Sequence, residues 1–173
     1  MFDIKTQTWY SFLTDAERQL IDTSFQLLAQ INQDTYTDYS FIVFPMAKAY
    51  EGFLKTYLLD LGLISQHVYE SRRFRIGRAL NPDINNGQRD DLWLFDDVAR
   101  VCGLEMAREM WDAWIECRNQ VFHFFPLQHQ QLTHAAAQAK LHQIAMAMDG
   151  AVRCHTNAKM QMQLQSQHWQ QLQ

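Results

Sequence analysis

"LEMAREMWDAWIECRNQVFHFFP", residues 104–126, carries helical periodicity up to its proline. Ala107, Trp111, Trp114 and Ile115 run into Val121 and Phe122, so one stripe of the segment is apolar. Pro126 disfavours helix at the residue before it and sets the stop. Arg118 stands four residues after Trp114 and seven after Trp111, which puts a guanidinium on the apolar stripe. Asn119 and His123 are four apart on a neighbouring face, close enough to touch. A helix that only has to bury a face needs none of these three side chains there.

The segments on either side read as helices too. Thr14, followed three residues later by Glu17, forms a capping box and predicts a helix near 15–32. A second helix is expected over about 38–61, stopped by Gly62, with Pro45 inside it or in its first turns. A shorter Arg-rich helix is expected within 65–80. "NPDINNGQRDD", residues 81–91, is a loop by its Pro, Gly and Asn content. A short helix ends at Gly103, the long one of 104–125 follows, and Thr133 caps a last helix running to about 160. The fold class is all-α, an antiparallel bundle of four to five helices. Residues 1–160 form a single helical domain, and 161–173 are a Gln-rich helix extension or tail.

Composition agrees. Hydrophobic residues make up 47% of the chain, enough for a core, and six Gly and three Pro are few for a chain of 173 residues. The net charge of −4 gives no general attraction to polyanions. Cys102, Cys117 and Cys154 are odd in number and lack metal-ligand spacing, so free thiols in a reducing compartment are expected. The N-terminus lacks signal-peptide architecture and no run of about 18 apolar residues occurs. The expectation is a cytoplasmic protein without a membrane span.

In the second helix Ala47, Leu54, Leu58 and Leu61 mark one face, and Glu51 falls on it. A carboxylate there is costly unless it is paired. Glu51 reads either as a partly wet residue at the stripe edge or as half of an Arg–Glu pair. Arg118 reads as snorkelling or paired, and His123 as a cation at a helix end. Taken together, Glu51 on one helix and Arg118, Asn119 and His123 on another predict a convergent polar cluster inside a bundle.

The stretch Arg118-Asn119-Gln120-Val121-Phe122-His123 resembles the Arg-x4–6-His motif of the HEPN (higher eukaryotes and prokaryotes nucleotide-binding) superfamily, in which a polar residue, often Asn, follows the Arg. "AKAYEGFLKTYLLDLGLI", residues 47–64, looks like the second helix of the HEPN domain in RNase LS-type bacterial toxins, which sets Glu51 beside the motif Arg and His. The resemblance spans about residues 38–125. It implies a HEPN-type bundle and a metal-independent endoribonuclease of a toxin–antitoxin or phage-defence system. It further implies a homodimer whose two motifs face a shared groove, with an antitoxin protein as a candidate partner.

The catalytic set it implies is Arg118, His123, Glu51 and Asn119, with no metal and no cofactor. The seven histidines show no HExxH pattern. "SRRFRIGR", residues 71–78, sets Arg72, Arg73, Arg75 and Arg78 around Phe74. With Lys48 these are the expected RNA-binding residues, on the pattern of a basic and aromatic track; the alternative for the cluster is a solvated helical face. HEPN toxins controlled by nucleotidylation often carry Tyr two residues after the motif His. Phe125 stands there instead, which implies that this control is absent. The alternatives are a non-catalytic HEPN module that binds a nucleotide or a protein, and a plain helical scaffold.

Overall fold

The computed structural model describes residues 4–124, 126 and 131–171, the stretch from 158 onward as backbone only. A 3₁₀ turn (Ile4–Thr6) and a short helix α1 (Thr8–Ser11) lead into α2 (Asp15–Gln30). The capping box forms as expected: Thr14 Oγ1 accepts from Glu17 N at 3.3 Å, and Glu17 Oε2 accepts from Thr14 N at 2.8 Å. Next come α3 (Ser40–Asp60), α4 (Gln66–Glu70), α5 (Ile76–Ala79), α6 (Phe95–Cys102) and α7 (Leu104–Trp114). A π-helical turn (Ile115–Asn119), one turn of α8 (Gln120–Phe122) and the long α9 (His134–Gln171) complete the chain. Thr133 caps α9, its hydroxyl accepting from Ala136 N at 3.1 Å. The backbone of α9 continues helical through the Gln-rich segment as far as Gln171.

Contacts between the long helices set their directions. Glu17 lies against Gly52 while Ser24 bonds Met46, so α2 and α3 run antiparallel. Tyr50 meets Met110 and Phe44 meets Phe122, so α3 and the α7–α8 segment are antiparallel as well. The pairs Cys102–Cys154 and Glu116–Lys140 show the same for the α6–α8 segment and α9. α3 and α9 run in the same direction, from Tyr39 beside His134 to Tyr57 beside His155. The long segments therefore alternate up and down, and the parallel pair α3 and α9 packs through the middle. Met46, Tyr50, Leu54 and Leu58 of α3, Met110 of α7 and Leu141 of α9 are fully buried there. Each such side chain contributes about 1.5–3 kcal/mol. Among the described residues the fold is all-α.

Pro45 lies inside α3, where it removes a backbone donor and disturbs the ladder. The next amide, Met46 N, donates to Ser24 Oγ of α2 at 2.9 Å. Ser24 is buried among apolar residues, so its hydroxyl serves as an acceptor that spans two helices.

Two expectations are corrected here. The Arg-rich helix of 65–80 is two short helices, α4 and α5, with Arg72 and Arg73 in the turn between them. Ser65 starts α4, its Oγ accepting from Val68 N at 3.3 Å, but only one short turn follows. The three free thiols are also wrong. Cys102 and Cys154 form a disulfide across 52 residues, with Cα atoms 5.6 Å apart. Only tertiary packing of α6 on α9 brings them together. Cys117 is free and buried, and burial pushes its thiol up to about 12. The paired cysteines withdraw the thiol argument for a reducing compartment. Among the described residues no helix is long and apolar enough to cross a membrane.

Ser24→Ala removes the buried side-chain acceptor that the Met46 amide meets in the core. We expect urea unfolding to show a loss of about 1–3 kcal/mol with an unchanged denaturant slope. The disulfide restrains the unfolded chain. Its reduction with dithiothreitol, and the double variant Cys102→Ser/Cys154→Ser, should each lower stability by about 2–4 kcal/mol in the same assay.

Candidate functional site

One edge of α3 carries charged side chains although the helix buries ten residues against the rest of the molecule. Phe44, Lys48, Glu51 and Lys55 recur every three or four residues and so share that edge. They form one wall of a cleft of about 590 Å³, and Arg118, Phe122 and His123 form the wall opposite.

The Glu51 carboxylate is shared between the two sides. Its Oε2 lies 3.4 Å from Arg118 Nη2, and its Oε1 lies 3.6 Å from Lys55 Nζ. The side chains are part-exposed, 27% for Glu51 and 35% for Arg118. Both sequence readings of Glu51 thus hold: it sits at the stripe edge and it is paired. A pair this wet contributes about 0–1 kcal/mol, so its effect lies in aiming the guanidinium more than in stability.

Arg118 is also supported from below. Its guanidinium carbon lies 5.3 Å from the centroid of the Trp114 ring, a cation–π arrangement. Trp114 stacks on Trp111 at 5.6 Å. α5 meets the outer edge of the six-membered ring of the indole at Gly77, where a Cβ would lie 2.2 Å from Trp114 Cη2. No side chain larger than hydrogen fits at that crossing.

The long helix expected over 104–125 is interrupted at the site. The π turn at Ile115–Asn119 adds a residue to one turn and rotates everything after it relative to α7. The turn is tied to α9 by Glu116, whose Oε2 accepts from Lys140 Nζ at 3.1 Å and from Gln143 Nε2 at 3.0 Å. Buried Cys117 donates to Gln143 Oε1 at 3.2 Å. Partial burial works to raise the Glu116 pKa, but hydrogen bonds from Gln143 and Lys140 and the lysine charge hold it below the usual carboxylate range. A depressed carboxyl stabilises the fold above its unfolded pKa, and that contribution fades as the pH falls through the folded value.

The helix then stops at Phe122, and His123 takes extended backbone, φ −103° and ψ 134°. That exit carries the exposed imidazole to the cleft. Asn119 does not follow it. It is half-buried and is not among the residues lining the cleft. The backbone stays right-handed helical at Asn119 and Gln120 and becomes extended at His123, and of the two side chains only the imidazole lines the cleft.

The structure also separates the arginine cluster from this cleft. Phe74 is 3% exposed and packs in the core, so no aromatic face is interleaved with Arg72, Arg73 and Arg75. Arg75 donates to the Arg72 carbonyl, and Arg78 is bound to Asp90 Oδ2 at 2.7 Å and to the Gln88 carbonyl at 2.9 Å. Of the residues expected to bind RNA, Lys48 alone lines the cleft. Sequence reasoning passed over Lys55 and Phe44, although the spacing Phe44-Lys48-Glu51-Lys55 holds their signal.

Compared with protein-family models, curated proteins and solved structures, the chain matches none.

Gly77→Ala forces a methyl group into a rigid indole. We expect about 1–3 kcal/mol of destabilisation from overpacking. We also expect a change in tryptophan fluorescence as Trp114 shifts from beneath Arg118; an unchanged spectrum and stability would show that α5 does not set the indole.

Proposed function

We propose that the protein is a metal-independent endoribonuclease of HEPN type, acting in a toxin–antitoxin or phage-defence setting. The observation that carries this reading is the cleft in which Glu51, from one helix, holds Arg118, from another, with His123 on the same wall as the arginine. The chemistry fits these residue types. RNA brings its own nucleophile: the ribose 2′-oxygen attacks the adjacent phosphorus and the bond from phosphorus to the 5′-oxygen breaks. The products are a 2′,3′-cyclic phosphate and a 5′-hydroxyl.

The proton on the 2′-hydroxyl must leave and the 5′-oxygen must gain one. An imidazole is suited to such transfers near neutral pH. His123 takes the role of acid or base. The guanidinium of Arg118 presents a planar fork to the non-bridging oxygens as charge builds in the phosphorane. Glu51 fixes the fork, and Lys48 and Lys55 add positive charge at the cleft. Three cations against one carboxylate give this region a local sign opposite to the net charge of −4. In a homodimer a second His123 would approach the same groove and supply the complementary proton transfer. Phe124 beside the motif is 74% exposed, consistent with such an interface.

The test is incubation of the purified protein with total RNA in EDTA, followed by analysis of the cleaved ends. His123→Ala should lose about 10²–10⁴ in rate, and Arg118→Ala about 10²–10³. Arg118→Ala should remain folded, because Lys55 still pairs with Glu51. Cleavage by purified His123→Ala at the wild-type rate, with contaminating nuclease excluded, would sink the assignment. RNA binding without cleavage by the wild type would leave the non-catalytic binding module in its place.

A further inference from the structure

We propose that Phe44, braced edge-to-face by Phe122, is a stacking wall for one unpaired nucleobase, with Lys48 on the phosphate next to the one held by Arg118. This rests on the ribonuclease reading and goes beyond it, because it assigns how the cleft selects its substrate. Phe44 is a large apolar side chain left 54% exposed at a position of α3 that faces the cleft. Phe122 meets it from the opposite wall, ring centroids 5.2 Å apart and planes at 82°. That edge-to-face contact holds the Phe44 ring in place and leaves a face of it to solvent.

Lys48 follows one helical turn after Phe44 on the same edge. Among the described residues its ammonium has no carboxylate partner, whereas Lys55 and Arg118 both have Glu51. The cleft therefore offers a flat apolar surface and an uncompensated cation one turn apart. A ligand that matches both must carry a flat apolar ring and a neighbouring anion in one short unit, and a nucleotide does. A base inside a duplex has its faces covered by its neighbours, so the wall accepts a base only from a single strand. At about 590 Å³ the cleft is of the size that takes a nucleotide rather than a whole helix.

The experiment measures binding by the full chain of a fluorescein-labelled single-stranded 2′-O-methyl oligoribonucleotide, which lacks the free 2′-hydroxyl and is not cleaved. A second probe is an abasic sugar–phosphate chain of the same length. Phe44→Ala should weaken binding of the first probe by about 5- to 150-fold, the range for loss of one base stack. Phe44→Trp should restore it, and neither change should alter binding of the abasic chain. Lys48→Ala should weaken both probes. Equal affinity of Phe44→Ala and wild type for the first probe overturns the proposal, and wild-type cleavage of RNA in the same preparation leaves the ribonuclease reading standing. If wild type binds neither probe and cleaves no RNA, both fall. If Phe44→Ala turns a dimer into a monomer by sedimentation, and Phe44→Trp restores the dimer without restoring affinity, Phe44 belongs to an interface between copies and the stacking wall is wrong.

Discussion

The π turn at Ile115–Asn119 is the constraint on which the cleft depends. An α-helix that takes on one extra residue loses regular hydrogen bonding locally and survives only where its surroundings hold it. Here the holding is done from behind, by the Glu116 carboxylate bridging Lys140 and Gln143 of α9, with the Cys117 thiol on the same glutamine. In front, Arg118 projects toward Glu51 of α3. One turn is thus fastened on two sides by polar contacts, and the arginine is aimed between a carboxylate and an indole.

The electrostatics of the site are local. The chain is acidic overall, yet the α3 edge and the π turn bring Lys48, Lys55 and Arg118 to one cleft with a single carboxylate. Glu51 divides its two oxygens between Lys55 and Arg118, so it orients both without neutralising the cleft. Exposed pairs of this kind add little to folding. Stability comes from elsewhere: the buried row of α3, the Ser24 hydroxyl that meets the amide beside Pro45, and the Cys102–Cys154 link. The side chains with chemical potential are therefore separable from those that hold the fold, which makes the cleft residues suitable for substitution.

Much of the architecture was legible because it is local. Thr14 with Glu17, Gly62, Gly103 and Thr133 act on backbone groups within a few residues, so their positions mark helix ends directly. Glu51 and Arg118 were legible for a different reason: each stood on an apolar stripe where an unpaired charge is costly, and they are partners across 67 residues. Lys55 and Phe44 carried the same spacing signal and were passed over because a lysine or a phenylalanine on a helix edge raises no energetic question by itself. "SRRFRIGR" misled because a basic and aromatic composition says nothing about which way Phe74 points, and it points into the core.

By itself the sequence determined the all-α class of the described residues, the bounds of α2 and α3 to within two residues, the cap of α9 and the candidacy of Glu51, Arg118 and His123, since periodicity and capping are properties of neighbours along the chain. Tertiary structure decided the rest. The Cys102–Cys154 pairing depends on α6 meeting α9 across 52 residues. The π turn depends on α9 partners that no local rule supplies. The π turn ends at Asn119 and the helix ends before His123, and of the two only His123 lines the cleft; a change of register is a response to packing on both sides, which a linear pattern cannot encode.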